Sequence, residues 1–250
     1  MFRHTGRGRT FSHNLRLASL LSAVAGIVNI VGLLSFRTLT TNVTGHFAFF
    51  AEELFLKNYV IALVFLFYIL FFLLGAFVSS LLMERVSVRH PQYAYVWPII
   101  LEIAVLLSVS VFGTISGGGG NDIIPTILSC ALLFAMGLQN ALVTRVSGSV
   151  VRTTHLTGLF TDLGIDISKF FFRLDKQRRK QLRKGILLKF TIIGCFFLGG
   201  LIGGFGFQQI GIYMLMVASA ILLFTLWYDG LLFRYYHIVR RFRHHQHERG

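Results

Sequence analysis

The sequence predicts an all-α polytopic membrane protein: six transmembrane helices as two inverted three-helix repeats, with short re-entrant or interfacial helices after two Thr-Gly motifs. Three observations lead there. Of the 250 residues, 54% are hydrophobic, and the mean hydropathy is +0.69, too apolar for a chain that must solvate its own surface. Apolar runs of near-spanning length recur six times along the chain. A small polar phrase, Thr-x-x-Thr-Gly, occurs once in each half, as "TNVTG" at 41–45 and "THLTG" at 154–158.

A hydrocarbon core about 30 Å thick needs roughly 20 residues of helix. The segments 17–36, 59–83, 96–113, 123–143, 186–207 and 211–233 meet or approach that length. The first follows a basic arm and contains Ala23 and Ala25, as a secretory leader would, but its apolar run continues to Phe36, which fits a retained anchor. The last two are parted only by "FGFQQIGIY", so a tight polar turn and a helical hairpin are expected there. The whole chain, 1–250, reads as one integral membrane domain, with a first repeat at 17–113, a second at 123–233 and a basic tail at 234–250.

The net charge of +14 has an economical cause in topology. Of the 24 Lys and Arg, 22 fall in the N-terminal arm, the second and fourth connections, the start of the fifth span and the tail; only Arg37 and Lys57 lie on the other side. Cytoplasmic loops carry such an excess, so both termini are expected in the cytoplasm, and the basic character gives no support to nucleic-acid binding. The connections differ in kind. "TISGGGGND" is an outer glycine loop without the strand and helix that a phosphate-binding loop needs. In the fourth connection Leu159, Leu163, Ile167 and Phe170 recur at helical spacing, as in an amphipathic helix lying in the interface. "RLDKQRRKQLRKG" then supplies a basic cluster suited to anionic lipid headgroups.

The halves can be overlaid by counting. Gly26-x-x-Asn29 and Gly137-x-x-Asn140 are offset by 111 residues, and the Thr-x-x-Thr-Gly phrases by 113. Each half holds an odd number of spans, so the second must lie upside down relative to the first, a recurring plan among secondary transporters. Ser19, Ser22, Gly26 and Asn29 fall on one stripe, as do Thr126, Cys130, Gly137, Asn140 and Thr144. Small residues of this kind also serve close helix packing. An amide in hydrocarbon, however, is costly without a partner. Each Thr-Gly phrase is expected to open a short helix, whose unpaired N–H groups attract a polar or anionic solute or simply receive a cap. The candidate substrate-binding residues are therefore Asn29, Thr41, Thr44, Gly45, Gln139, Asn140, Thr154, Thr157 and Gly158, expected around one polar cavity.

The first half's "AGIVNIVGLLSFRTLTTNVTGHFAFFAEEL" together with "AMGLQNALVTRVSGSVVRTTHLTGLFTDLGIDIS" resembles the YoaK-type family of bacterial inner-membrane proteins of unknown function. The resemblance covers nearly the whole chain and implies a multi-pass protein of the bacterial inner (plasma) membrane, without naming a substrate. This chain departs from many relatives in carrying Asn29 where they have an acid and His46 where they have Asn.

Among ionisable groups, Glu102 sits deep in the third span and is the proton-handling candidate. Asp229 lies near a span end, within reach of Arg234, and His46 is expected to be solvated beside an outer loop. Cys130 and Cys195 read as packing residues. The tail histidines His237, His244, His245 and His247 lack a second ligand set, so no metal or cofactor is expected. No nucleophile elbow, HExxH or paired-carboxylate pattern stands out, which argues against an enzyme; an intramembrane lipid enzyme is the weakest option. The leading expectation is a small secondary transporter of a polar or anionic small solute. The alternative is a non-transporting membrane scaffold or assembly protein with a lipid- or partner-binding basic loop. Expected partners are anionic membrane lipids at the cytoplasmic face, the small solute and, as a further candidate, a second copy of the chain in a homo-oligomer.

Overall fold

The computed structural model describes residues 11–89, 93–115, 123–173 and 175–228. The glycine loop at 117–120, Asp229, the end of the sixth predicted span and the basic tail lie outside the described residues. Among the described residues there are helices and no strand. In chain order they are α1 (Phe11–Phe36), α2 (Val43–Phe55), α3 (Tyr59–Arg89), α4 (Val96–Ile115), α5 (Ile123–Ser147), α6 (Leu156–Ser168), α7 (Lys176–Ile210) and α8 (214–228). Short 3-10 turns occupy Lys169–Phe171 and Gly211–Tyr213.

Among the described residues, five stretches are long and apolar enough to cross a membrane: Phe11–Phe36, Tyr59–Arg89, Val96–Thr114, Ile123–Ser147 and Lys176–Tyr228. The last is broken at Gly211, whose φ of 57° ends α7 in a conformation that only glycine adopts freely. Met214 then lies against Gly206, where an added Cβ would strike its Sδ. Eight residues along a continuous helix would be about 12 Å apart, so the chain has reversed. The hairpin expected from "FGFQQIGIY" is formed, but Gln208 and Gln209 remain helical and Gly211 makes the turn.

The helices sort by burial. In α1 and α5 most of the apolar stretch is buried, 61% and 67%, against 22% in α3. These two are the inner pair. The outer helices present bulky apolar side chains to their surroundings, among them Phe67, Leu73 and Phe77 of α3 and Phe197, Ile202 and Phe205 of α7. Hydrocarbon solvates such a surface and water does not.

Close packing is set by glycines. α1 packs mainly on α7, and α3 on α5. A Cβ on Gly26 would overlap the Phe196 carbonyl, and one on Gly199 the Ala23 carbonyl. On the other contact, a Cβ on Gly137 would overlap the Phe72 carbonyl and one on Gly75 the Phe134 carbonyl. Backbone thus lies on backbone at both crossings, the approach that small residues permit between helices in lipid.

The amphipathic helix predicted after the second Thr-Gly phrase is α6, yet only part of its apolar stripe is used. Leu159 and Leu163 are buried, whereas Ile167 is exposed. An ion pair completes the docking: Asp166 accepts from Lys169 at 2.9 Å and from Lys189 of α7 at 2.5 Å. Burial pushes the Asp166 carboxyl up, but the two ammonium groups outweigh it and hold the carboxyl below the ordinary value of 3.8. Because the folded value is depressed, the pair's stabilisation is present above the unfolded value and lost as pH falls through the folded one. Asp166→Asn should therefore loosen α6 by about 1 kcal/mol at neutral pH and by nothing near pH 2, measured by amide exchange in α6. The basic cluster is not a loop. It forms the exposed first turns of α7, opened by Asp175, whose side chain accepts from the Gln177 N–H at 3.4 Å. Lys184 lies over the Phe11 ring, 5.6 Å from its centre, and ties this end of α7 to α1.

Candidate functional site

Both α1 and α5 end in left-handed residues, Arg37 (φ 55°) and Gly148 with Ser149 (φ 62° and 65°). At Arg37 the Thr38 N–H reaches back to the Gly32 carbonyl at 3.3 Å, a helix-ending motif that turns the chain out of the helix axis. The chain then folds back along the helix it has left. Thr41 donates to Asn29 Oδ1 from its hydroxyl at 3.0 Å and from its N–H at 3.2 Å. In the second half the Thr154 hydroxyl donates to Asn140 Oδ1, also at 3.0 Å. The two asparagine amides are thus each held by the threonine that opens the following phrase, whereas the Gln139 amide donates to a main-chain carbonyl of α1.

A helix starts at each phrase, as expected. α2 and α6 have thirteen residues each, about 20 Å of helix, which is too short to cross a bilayer. The threonines of the phrases do not cap them. Asn42 caps α2, accepting from the Gly45 N–H at 3.0 Å, and His155 holds the equivalent place before α6 without a side-chain cap bond. The glycine of the phrase makes room for that residue: a Cβ on Gly45 would come within 2.7 Å of Asn42 Nδ2, and one on Gly158 would strike the His155 ring. Gly45→Ala should cost about 1 kcal/mol through the lost cap. Gly158→Ala should cost less, because His155 is exposed and free to swing aside. Thermal unfolding of the two variants side by side checks the difference. Thr44 and Thr157 are both exposed, while Thr40 and Thr153, one residue before each phrase, are fully buried with hydroxyls unpartnered among the described residues.

The candidates fall into two stations, and the distance between them follows from register. Gln139 Nε2 donates to the Leu21 carbonyl at 2.8 Å, and Leu132 lies against Gly32, so α1 and α5 run antiparallel. Asn140 is therefore level with Leu21. Asn29, eight residues further along α1, is about 12 Å away along the axis. The antiparallel pair carries equivalent residues apart from its centre, so the Asn29–Thr41–Gly45 group and the Asn140–Thr154–Gly158 group sit toward opposite ends of it, and the nine residues do not form the single cluster expected.

His46 also differs from expectation. It is 3% exposed, packed between Phe65 and Tyr68 of α3, and its Nε2–H donates to the Leu39 carbonyl at 2.8 Å. Its Nδ1 is buried with no partner among the described residues. Burial holds the imidazole below its ordinary value of 6.5, against the upward pull of the Leu39 carbonyl. Sequence gave no sign of this, because the burial depends on α2 folding back on α3. Asn42, by contrast, was findable as an Asn three residues before a glycine at a helix start. Glu102 is 0% exposed, with both carboxyl oxygens unpartnered among the described residues.

Among the described residues, helices without strands, several of them long and apolar, and an inner pair flanked by helices with bulky apolar side chains exposed mark a multi-pass membrane protein. Its residues 17–228 match a family described as "Protein of unknown function (DUF1275)". The chain belongs to that family, in agreement with the resemblance drawn from its Thr-Gly and Gly-x-Gln-Asn phrases. No curated protein and no solved structure matches it.

Proposed function

We propose that the chain is a small secondary carrier of the bacterial inner membrane, moving a small polar or anionic solute. In this reading α7 and α8 are separate crossings, the six crossings form two inverted three-helix halves, and the charge asymmetry places both termini in the cytoplasm. One observation carries it: the two Asn–Thr stations occupy equivalent places in the two halves yet sit toward opposite ends of an antiparallel pair. The packing supports the same plan. Gly26 and Ala23 meet α7 where Gly137 and Phe134 meet α3, at an offset of 111, and their partners Phe72 and Gly75 precede Phe196 and Gly199 by 124. A pseudo-twofold axis in the bilayer plane relates such contacts.

Each station then acts as a latch at one end of the path. A solute with hydrogen-bonding groups competes with the threonine for the asparagine amide, and release of the threonine frees the short helix that follows. The chain's own residues supply binding and gating, with no covalent chemistry. The test is uptake or binding by purified protein in liposomes against a panel of small anions, sugars and amines, with Asn29→Ala, Asn140→Ala, Thr154→Ala and Thr157→Ala alongside. A loss of about tenfold in affinity or rate for the station variants is expected. If no solute is bound or moved, the carrier is ruled out; if solute moves but every variant matches the parent, the two stations are not its site.

A second reading has its own support. The exposed basic turns of α7, with Phe171 and Phe172 exposed just before them, suit a scaffold that grips anionic headgroups. Replacing Arg178, Arg179, Lys180 and Arg183 with Gln would then abolish retention of phosphatidylglycerol in lipid extracts of the purified protein, while a carrier would keep its uptake.

A further inference from the structure

A buried ring is bonded to one of the two stations. The Nε2–H of His46 donates to the Leu39 carbonyl at 2.8 Å, and Leu39 begins the turn that carries Thr41. The Asn42 N–H reaches the same carbonyl at 3.5 Å, and the His46 N–H donates to the Asn42 carbonyl at 3.3 Å. Thr41 in turn donates twice to Asn29 Oδ1. Contacts therefore run without a gap from the imidazole through the turn to the asparagine. Glu102 is buried as well, but both its carboxyl oxygens are unpartnered among the described residues, so no bond ties its proton to a station. Tyr68 is the titratable group that faces His46 from α3, with Cys130 of α5 in the same apolar cluster as Tyr68. The charged residues of α3 begin at Glu84, sixteen residues beyond Tyr68 and about 24 Å along the helix. Nearby in the chain, Arg37, Glu52 and Lys57 are exposed, and Glu53 accepts from Asn58 at 2.8 Å.

The second half has no such ring. Shifted by 113 residues, His46 falls on Leu159, which is also buried, and residues 38–46 and 151–159 share one order of buried and open positions apart from Leu39 and Arg152. His155 of that half is exposed and makes no side-chain cap bond, so its titration breaks no cap.

We infer that His46 is the group through which a proton opens the Asn29–Thr41 station, and that the Asn140–Thr154 station has no counterpart to it. The neutral ring spends its one N–H on Leu39. A second proton, on Nδ1, puts a charged donor between Phe65 and Tyr68 where no acceptor meets it among the described residues. The imidazolium leaves for water, the Leu39 bond is lost with it, and the turn no longer holds Thr41 on Asn29. Burial keeps the ring below its ordinary value of 6.5, so acid favours the open turn and alkali the closed one. Linkage is reciprocal: a solute that occupies the freed Asn29 amide raises proton affinity at His46 by the factor by which the proton raises solute affinity. The carrier is then a proton–solute symporter. That last step rests on the reading above; the proton-operated turn does not.

The Thr41 N–H is itself a station donor, so its exchange reports the latch. In the full-length protein in detergent, its protection, taken against the intrinsic exchange rate at each pH, should fall between pH 7 and pH 5 by about tenfold for each unit of depression at His46. The Val151 N–H, which donates to Ser147 Oγ at 3.0 Å in the matching turn, should keep its protection. His46→Leu copies the second half, and His46→Gln retains a neutral donor toward Leu39; in both, Thr41 should be equally protected at the two pH values. In liposomes, a pH dye trapped inside should report acidification when small anions, sugars and amines are added outside in turn and one of them enters, and should stay silent with His46→Leu. Equal Thr41 protection at both pH values in the parent, or the same loss in parent and variants, would overturn the role of His46. A pH-dependent Thr41 with no solute moved would keep the proton-operated turn and remove the carrier. Solute entry without a dye response would remove the symport and leave the carrier standing.

Discussion

Gly26→Ala and Gly137→Ala should each destabilise the protein by about 3 kcal/mol, the upper end of the range for overpacking. The atom that a new Cβ would strike at each site is a main-chain carbonyl oxygen, Phe196 O or Phe72 O, which cannot swing away as a side chain does. The only relief is to separate α1 from α7, or α3 from α5, and with them the contacts that place the inner pair. Gly194→Ala is the matched control, since a Cβ there meets nothing within 4 Å. Thermal unfolding in detergent, followed by circular dichroism, should show the first two melting well below the parent and the control at or above it. Equal melting of all three would refute the backbone-on-backbone packing.

The other large effect is on acidification. His46 is held below its ordinary 6.5 by burial, so the folded state favours the neutral ring. For such a group, stability is full above the unfolded value and falls as pH drops below it toward the folded one. The cost is about tenfold in the docking equilibrium for each unit of depression. Protonation puts a charge between Phe65 and Tyr68, beside a donor position with no acceptor to meet it. The protection of the α2 amides, taken against the intrinsic exchange rate at each pH, should therefore fall between pH 7 and pH 5, while the inner pair stays protected. His46→Phe should remove the dependence and keep the helix docked at both pH values. Equal protection of α2 at pH 7 and pH 5 in the parent would contradict the burial.

Much of this architecture was legible because lipid imposes it. A helix that must hide its backbone in hydrocarbon announces itself by length and hydropathy, so α1, α3, α4 and α5 lie where the apolar runs place them. The Thr-Gly phrases likewise marked the starts of α2 and α6. What the one-dimensional pattern could not carry is where chain segments meet. Asn29 and Thr41 are twelve residues apart and become partners only because Arg37 turns the chain back on α1. The same repeat that suggested one shared cavity sets its two copies apart, since equivalent positions on antiparallel helices diverge from their centre. Hydropathy scores His46 as polar. Its importance comes from burial with Nδ1 left without a partner among the described residues, a property of packing.

The pairing of α1 with α7 also bears on how the protein is made. Gly26 waits for Phe196, and 170 residues separate them. At a synthesis rate of 5–20 residues per second that is roughly 10–30 s. During that interval the face of α1 bearing Gly26, with Ser22 one turn away, has no final neighbour, whereas α3 meets α5 much sooner. The nascent first helix therefore needs temporary shelter at the site of insertion. A chain truncated before α7 should accordingly be degraded rather than accumulate.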